Sequence, residues 1–223
     1  MLARVLKRMP NETKETVELR FQKRWQAYSK QEIDAKVREY WIQYRYLDDI
    51  LSTIELSKKT ILDIGCGVVS VLHIIENGCK IGIDPLFIRY NKMYGKGIYR
   101  DIQGINACGE KLPFKESSFD VVFCSNVLDH VDRPGEVVSE VKRVLRIDGI
   151  LILTVDVFES KTARDVAHPH SLTEEDVSTL LGDFRIIWAK RSTSRAQICL
   201  YFDDRMIESN NVREHIFFME KIG

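Results

Sequence analysis

The stretch ILDIGCGVVSVLHII, over Ile61–Ile75, decides the fold. Its apolar start predicts a buried strand, and the glycines at Gly65 and Gly67 predict a tight turn. The apolar residues after the turn predict a helix over Val68–Asn77, with Gly78 as its stop. A strand that enters a glycine turn and leaves as a helix is typical of loops that hold a nucleotide-like ligand.

Strands and helices continue to alternate along the rest of the chain. Strands are predicted at residues 60–65, 79–84, 104–107, 119–125, 149–155, 184–190 and 196–202, and helices at 86–94, 133–146 and 173–181. This order predicts a parallel sheet covered by helices on both faces. A short polar stretch joins the last two strands and indicates one antiparallel strand. The expected fold class is therefore α/β, a Rossmann-like three-layer sandwich of seven strands with N-terminal helices.

The first part of the chain predicts an aromatic helical face. Residues 12–56 read as helix, and their apolar residues recur at three- and four-residue intervals. Packing against the following domain and a cover over a ligand pocket both explain this face. Its candidate acceptor-binding residues are Tyr40, Trp41 and Tyr44. The predicted division is a helical cap at 1–59, a ligand-binding domain at 60–203 and a helix or tail at 204–223.

Composition argues against several partners. The formal net charge is zero, so no strong field favours nucleic acid or an anionic membrane. No window approaches the roughly 18 apolar residues of a membrane span, and the N-terminus lacks the apolar core of a signal peptide. The five cysteines are odd in number and lack a C-x-x-C pair, which argues against disulfides and zinc and favours the cytoplasm. A homodimer through the N-terminal helices is left open.

Two aspartates carry the predicted ligand chemistry. Asp63 precedes the glycine turn, where its carboxylate can accept hydrogen bonds from an ammonium group. Asp84 ends the second predicted strand, where a carboxylate can accept both ribose hydroxyls of an adenosine group. Together with Gly65 and Gly67, they predict a site for an adenosine-containing cofactor.

Four motifs resemble a known family. They are DIGCG (63–67), IGIDP (81–85), GEKLPF (109–114) and FDVVFCSNVLDHVDRPGEVVSEVKRVLRIDGILIL (119–153). The series resembles class I S-adenosylmethionine-dependent methyltransferases, in particular the ubiquinone/menaquinone-biosynthesis-like (methyltransferase type 11) group, over about Thr60–Phe202. The resemblance implies a seven-stranded sheet whose last strand is antiparallel.

The resemblance also implies S-adenosylmethionine as cofactor and S-adenosylhomocysteine as product. The residues it places at the cofactor are Asp63, Gly65, Cys66, Gly67, Asp84, Pro85, Leu86, Cys108, Gly109, Glu110, Ser125 and Asn126. It places Leu128 and His130 near the transferred methyl group. The spacing of His168 from the predicted helix cap Thr173 matches a family histidine that faces the active site. His130 and His168 are therefore the candidate catalytic residues, as a base or as groups that orient the acceptor.

Three positions depart from the family pattern. Val69 stands where a third glycine is usual, Cys108 where an aspartate often bonds the adenine amino group, and Ile147–Gly149 where Pro-Gly-Gly is common. Losing one charge-assisted hydrogen bond at Cys108 costs roughly 1.5–3 kcal/mol, or about one to two orders of magnitude in affinity. The departures predict weakened cofactor binding.

The predicted function is methyl transfer to a small-molecule acceptor by direct displacement. One alternative is a catalytically silent protein of the same fold that acts as a binding module or partner scaffold. Another is an NAD-dependent oxidoreductase with an imperfect glycine fingerprint, against which the 119–153 block argues. A metal site at His168, His170 and Asp165 lacks a third strong ligand nearby, so no metal is expected. Buried cysteines are read as packing residues.

Overall fold

One mixed sheet organises the molecule. The computed structural model describes residues 13–161, 166–191 and 212–222. Its strands are β1 (Thr60–Ile64), β2 (Cys79–Ile83), β3 (Gln103–Ile105), β4 (Phe119–Ser125), β5 (Leu145–Phe158), β6 (Leu172–Thr173), β7 (Phe184–Arg191) and β8 (Val212–Lys221). The sheet order is β3-β2-β1-β4-β5-β8-β7, and the short β6 pairs with β5 off this path. Strand β8 runs antiparallel to both neighbours, and the other pairs are parallel. The expected Rossmann-like, mostly parallel sheet is confirmed.

Helices cover both faces of the sheet. They are α1 (Lys14–Lys23), α2 (Lys30–Tyr44), α3 (Leu47–Thr53), α4 (Phe87–Tyr94), α5 (Pro134–Val144) and α6 (Glu174–Leu181), with 3₁₀ turns at Arg24–Ala27, Val71–His73 and Lys96–Tyr99. Strand β4 alternates between two cores: Val121 and Phe123 join the core of α2 and α3, and Val122 and Cys124 join that of α5 and α6. This is the three-layer arrangement expected of the fold class. No helix in the described ranges has the length and apolar character needed to cross a bilayer.

The N-terminal region read as helix over 12–56, and from residue 13 on it consists of three helices, α1 to α3. Ser29 caps α2 through a capping box with Glu32, after a 3₁₀ turn ends α1. Tyr46 is left-handed, with φ 53°, and separates α2 from α3. Side chains of α2 and α3 share one apolar core with the sheet, so this region forms the layer over that face.

The helix predicted over Val68–Asn77 is wrong. Only Val71–His73 form a 3₁₀ turn, because side chains take the backbone groups that a helix would use. Ser70 Oγ accepts the Leu72 N–H at 3.1 Å, and a ring nitrogen of His73 lies 3.0 Å from the Val68 carbonyl. The apolar residues of the segment are nevertheless buried, except for the half-buried Val69. Helix α2 packs over them, in the space beside β1.

The C-terminal prediction of a helix or tail is also corrected. Residues Val212–Lys221 form β8, which pairs with β5 from Ile150 opposite Glu220 to Phe158 opposite Val212. Phe218 faces one core and Met219 faces the other, and Ile216 is buried. The strand predicted at 196–202 lies outside the described residues. Strand β7 agrees with the prediction for 184–190.

Candidate functional site

The tight glycine turn that the sequence predicts after β1 has a left-handed backbone. Gly65 and Gly67 have φ values of 67° and 49°, in the left-handed region that favours glycine. A Cβ atom on Gly65 would lie 2.6 Å from Val127 Cγ2, so no larger residue fits unless Val127 moves. The turn at the end of β1 and the segment after β4 are thus in close contact.

Asp84 holds the glycine turn from the end of β2. Its Oδ2 accepts the Gly67 N–H at 3.1 Å, and its Oδ1 accepts the Leu86 N–H at 2.8 Å. The carboxylate is buried, and burial raises its pKa to about 6 against the opposing effect of these hydrogen bonds. The Tyr90 hydroxyl also hydrogen-bonds this carboxylate, so one further acceptor site is left on its two oxygens. Asp84 therefore fits one of the ribose hydroxyls that the sequence assigned to it, and both where Tyr90 gives up its bond.

Asp63 is a second buried carboxylate at this edge. Its Oδ2 accepts a hydrogen bond from the Ser70 hydroxyl at 2.6 Å. Burial raises the pKa of Asp63 to about 7, and the Ser70 bond and the charge of Arg45 oppose this effect. A cationic ligand group would favour the ionised form. Val69, where the family pattern has glycine, is half-buried and packs against the core of α2 and α3.

Two cysteines near the turn face in different directions. The Cys66 thiol is buried against β2, where a Cβ on Gly82 would lie 3.0 Å from the sulfur. Burial raises the pKa of the Cys66 thiol well above its usual value, so it is not an activated nucleophile. Cys108 is exposed, and burial of its partly covered thiol raises its pKa. Within the described residues Cys66, Cys79, Cys108 and Cys124 are free thiols.

The other expected cofactor residues border the same edge. Ser125 ends β4, and its buried Oγ has no hydrogen-bond partner among the described residues. An orphaned buried hydroxyl there fits a polar ligand group. Asn126 is left-handed, with φ 56°, which marks a strained backbone at the strand end. Gly109 is buried against Ile64 of β1. Glu110 Oε1 accepts a hydrogen bond from the Asp132 N–H at 3.1 Å. Pro85 is exposed and Leu86 is half-buried.

The two candidate catalytic histidines lie side by side. The ring centroids of His130 and His168 are 4.2 Å apart. Burial lowers the pKa of His130, but its 2.8 Å bond to Glu18 and the charge of Asp129 outweigh that effect and leave the pKa raised. The backbone N–H of His170 donates to the Asp129 carbonyl at 3.4 Å and ties the loop of His168 to this segment. Thr173 caps α6 as predicted.

Helix α1 lies across the glycine turn. Gln22 Oε1 accepts the Val68 N–H at 3.2 Å, and a Cβ on Gly67 would come within 3.0 Å of Gln22 Nε2. Glu18 reaches His130 on the other side of the site, and Lys14 reaches Asp132 at 3.5 Å. No sequence motif predicts the contacts of Glu18 and Gln22 with the site, because these contacts depend on where α1 packs.

The aromatic face of α2 is mostly core. Tyr40 and Trp41 are buried, and the Trp41 ring meets the edge of Phe123 with centroids 5.7 Å apart. The Tyr40 hydroxyl accepts a hydrogen bond from Arg45 Nε at 2.9 Å, and Arg45 forms a buried ion pair with Glu214 at 2.5 Å. Arg45 was missed in the sequence. Tyr44 ends α2.

A cavity of ≈ 510 Å³ opens beside the carboxyl end of β5. Its lining combines apolar and charged groups and includes Phe158, Glu159, Glu174, Arg191 and His215. Strand β5 pairs with β4 in parallel, so the carboxyl ends of both strands lie at the same edge of the sheet. The cavity therefore lies at the same edge as the glycine turn, farther along it. It offers room for a small organic molecule.

The sequence of this chain is similar to those of known methyltransferases. Residues 62–153 match the family described as "Methyltransferase domain". Mouse thiol S-methyltransferase TMT1B is 32% identical over 145 residues, which is 62% of this chain and 57% of that protein. Sterol 4-C-methyltransferase strm-1 of Caenorhabditis elegans is 32% identical over 111 residues, 47% of this chain and 33% of that protein. The chain thus spans about half the length, or less, of these relatives.

Solved structures share the fold. An S-adenosylmethionine-dependent methyltransferase of Methanosarcina mazei superposes with a TM-score of 0.61 at 19% identity, covering 78% of this chain and 97% of that one. Geranyl diphosphate C-methyltransferase of Streptomyces coelicolor, solved with S-adenosyl-L-homocysteine, gives a TM-score of 0.60 at 10% identity and covers 78% and 76%. The sheet order and glycine turn define a Rossmann-like, class I fold.

Residues 62–153 thus match the methyltransferase-domain family, and this match and the named relatives support the class I, type 11 group of S-adenosylmethionine-dependent methyltransferases that the sequence resembles. S-adenosylmethionine is the cofactor of this family. The buried carboxylates of Asp63 and Asp84, and the orphaned hydroxyl of Ser125, fit its ammonium and ribose groups.

Proposed function

We propose that this chain transfers a methyl group from S-adenosylmethionine to a small-molecule acceptor by direct displacement. The observation that carries the proposal is the shared position of two groups. Asp84 holds the glycine turn at the end of β2, His130 follows β4 at the same sheet edge, and His168, from the loop before α6, lies beside His130. The edge therefore offers a cofactor-holding carboxylate and proton acceptors within one site.

The protein's main contribution is alignment. When bound, the cofactor supplies a methyl group on a positively charged sulfur, and that sulfur leaves as a neutral thioether. Asp84 would hold the ribose, Asp63 the ammonium group and Ser125 a further polar group. Alignment of the acceptor with the methyl carbon and exclusion of water can supply much of the rate enhancement. His130 or His168 would take the proton of a hydroxyl or thiol acceptor.

Three observations support a small molecule as the methyl acceptor. The relatives named above act on a thiol and a sterol, and the chain's formal net charge of zero gives no attraction for nucleic acid. The cavity beside β5 has room for a small organic molecule. Acceptor contact by Tyr40, Trp41 and Tyr44 stays a prediction, as do a cytoplasmic setting, a homodimer and the division at residues 59 and 203.

A specific observation favours a second candidate, a silent binding module. The Gly67 N–H is taken by Asp84, the Val68 N–H by Gln22, and Gly65 is in close contact with Val127. The turn is therefore closed by the protein's own groups under α1. If the protein is an enzyme, α1 must move away from the glycine turn to admit the cofactor. If it is a silent binding module, α1 remains packed on the turn.

An acceptor screen separates the two. The protein would be incubated with S-adenosylmethionine and pools of thiols, phenols and sterols, and S-adenosylhomocysteine would be quantified. We expect acceptor-dependent product from the wild type and from Asp183→Asn, a surface control that precedes β7 at the opposite sheet edge. Asp84→Asn should lose most of it. Product in no pool, from protein that binds the cofactor, would favour the silent module.

A further inference from the structure

Three potential metal ligands converge beside the cofactor edge. One donor atom from each of Asp129, His130 and His168 lies within 4.8 Å of the other two. Asp129 and His130 follow β4, and His168 comes from the loop before α6. The sequence had grouped His168 with His170 and Asp165. The fold instead brings it to a carboxylate and a second imidazole, which supplies the missing strong ligand.

The His130 ring is held in a metal-binding orientation. Its Nδ1 lies 2.8 Å from Glu18 Oε1, while its Nε2 faces Asp129 Oδ1 at 3.8 Å. A carboxylate on the far nitrogen is the usual partner of a metal-ligating histidine, because it fixes the ring and the tautomer. The Asn126 amide nitrogen lies 3.2 Å from Nε2, and a bound cation would replace this hydrogen bond.

The remaining ligands are held by their surroundings. The Asp129 side chain is 1% exposed, and the His170 backbone N–H bonds to the Asp129 carbonyl at 3.4 Å. The same loop is held again where a ring nitrogen of His170 lies 3.2 Å from the Asp132 carbonyl. His168 therefore sits on a loop fastened at two points to the segment that carries the other ligands.

One carboxylate and two imidazoles are a donor set of first-row divalent cations, and zinc is the common case. Ligand atoms lie about 2.0–2.2 Å from zinc, so the side chains need to close by on the order of 1 Å. Three protein ligands leave one coordination position open, as in catalytic zinc sites. We propose that Asp129, His130 and His168 form a binding site for a zinc-class divalent cation, oriented by Glu18.

The role of this cation rests on the proposed function. With the cation bound, His130 and His168 would act as ligands and would not take the acceptor's proton. A thiol or hydroxyl acceptor bound at the open position would instead lose its proton to solvent more readily, because the cation stabilises the anion. The acceptor's lone pair then attacks the methyl carbon, and the new C–S or C–O bond forms. The bond from that carbon to the sulfonium sulfur breaks, and the sulfur keeps the electron pair.

Cobalt(II) titration tests the site without cofactor or acceptor. Protein without a histidine tag would be stripped with a chelator and titrated with Co²⁺ while visible absorption is recorded, and Zn²⁺ would then be added as competitor. We expect one Co²⁺ per chain, with ligand-field bands and no thiolate charge-transfer band. Zn²⁺ should displace it. Absent binding, or a thiolate band that assigns the ion to cysteines, would overturn the proposal.

Variants locate the ion. His168→Ala, on a half-exposed loop, and the isosteric Asp129→Asn should each weaken Co²⁺ binding by about tenfold or more. The surface control Asp183→Asn, which lies before β7 and away from the site, should leave binding within about twofold. Equal binding by wild type, His168→Ala and Asp129→Asn would contradict the assignment.

Histidine ring resonances give a readout that needs no variant. On Zn²⁺ addition those of His130 and His168 should shift while that of His73 does not, and the reverse would contradict the site. Cofactor titration of stripped protein keeps the two proposals separate. Cofactor binding without metal binding removes this site alone, and metal binding without cofactor binding removes the methyltransferase proposal alone.

Discussion

Glu18 and His130 lie 112 residues apart in the chain, and Glu18 Oε1 lies 2.8 Å from His130 Nδ1. The contact joins α1 to the segment that follows β4. It also places a carboxylate behind the histidine nearest the predicted methyl position. Both the cover over the glycine turn and the orientation of His130 depend on this pair.

Replacing Glu18 with glutamine should loosen α1. The pair is half-buried and charge-assisted, so its loss costs on the order of 1–2 kcal/mol. Hydrogen exchange of α1 amides should then be roughly tenfold faster, because α1 opens more often. Glu15→Gln is the matched control: Glu15 pairs with Arg89 at 3.2 Å, but both side chains are exposed, by 46% and 60%. Exposed pairs contribute about 0–1 kcal/mol. Equal effects would contradict the role given to Glu18.

Gly65→Ala should distort the glycine turn. An alanine at φ 67° is strained, and its Cβ would lie 2.6 Å from Val127 Cγ2. The expected loss is roughly 1–3 kcal/mol of unfolding free energy, measured by urea denaturation. Gly97→Ala is the control, since nothing lies within 4 Å of its added Cβ. Val127→Ala in the Gly65→Ala background should recover the steric part of the loss. A neutral Gly65→Ala would show that the turn does not need glycine.

Asp63→Asn should stabilise the cofactor-free protein more at pH 8 than at pH 5.5. The pKa of Asp63 rises from 3.8 to about 7 on folding, because burial disfavours the charge. Its ionisation therefore weakens folding progressively as pH rises from about 4 to 7, a cost that asparagine lacks. The difference at pH 8 should reach a few kcal/mol in urea unfolding. A difference that does not grow with pH would contradict the assignment.

Asp176→Asn should change the stability of the protein in the opposite direction to Asp63→Asn. Bonds from Lys161 and Thr173 lower the pKa of Asp176 to about 2, so its stabilising effect is present above about pH 4 and lost below. Its replacement should destabilise the protein at both pH 5.5 and pH 8. A gain at pH 8 like that of Asp63→Asn would point to a general effect of removing charge.

Arg45→Met should be strongly destabilising. Arg45 and Glu214 are 6% and 2% exposed, and removal of the arginine leaves a buried carboxylate without its ion pair. Such losses cost about 3–5 kcal/mol. Lys142→Met is the control, because its pair with Asp183 is 40% and 72% exposed and is worth about 0–1 kcal/mol. Glu214→Gln added to Arg45→Met should restore part of the stability, and its failure to do so would argue against direct coupling.

The elements that the sequence predicted are those with local signals. Strands β1, β2 and β4 are apolar runs that end in turn residues, and α5 begins at Pro134 and carries a regular apolar face. The cap of α6 at Thr173 is likewise a short-range motif. These features need no knowledge of the rest of the chain.

The wrong elements depend on distant partners. The segment after Gly67 has a helical pattern of apolar residues, but Ser70 and His73 bond to its backbone and α2 takes the space beside β1. Strand β8 forms because β5 and β7 leave a place between them. Neither competition is visible in a local window.

The site shows the same division. Asp63, Asp84 and the glycines followed from the motif, and spacing to Thr173 singled out His168. Glu18 and Gln22 contribute only because α1 docks on the turn, and that docking has no sequence signature. Arg45 is held in the core by the Tyr40 hydroxyl and by its ion pair with Glu214, and Glu214 lies on β8, far along the chain.

The central claim is that Asp84 and the glycine turn bind S-adenosylmethionine. Calorimetric titration with S-adenosylmethionine and S-adenosylhomocysteine tests it most directly, with Asp84→Asn and the surface control Asp183→Asn in parallel. The account predicts binding of both ligands by the wild type and Asp183→Asn, and a loss of at least about tenfold in Asp84→Asn. Absence of binding by folded wild-type protein, or equal binding by Asp84→Asn, would contradict it.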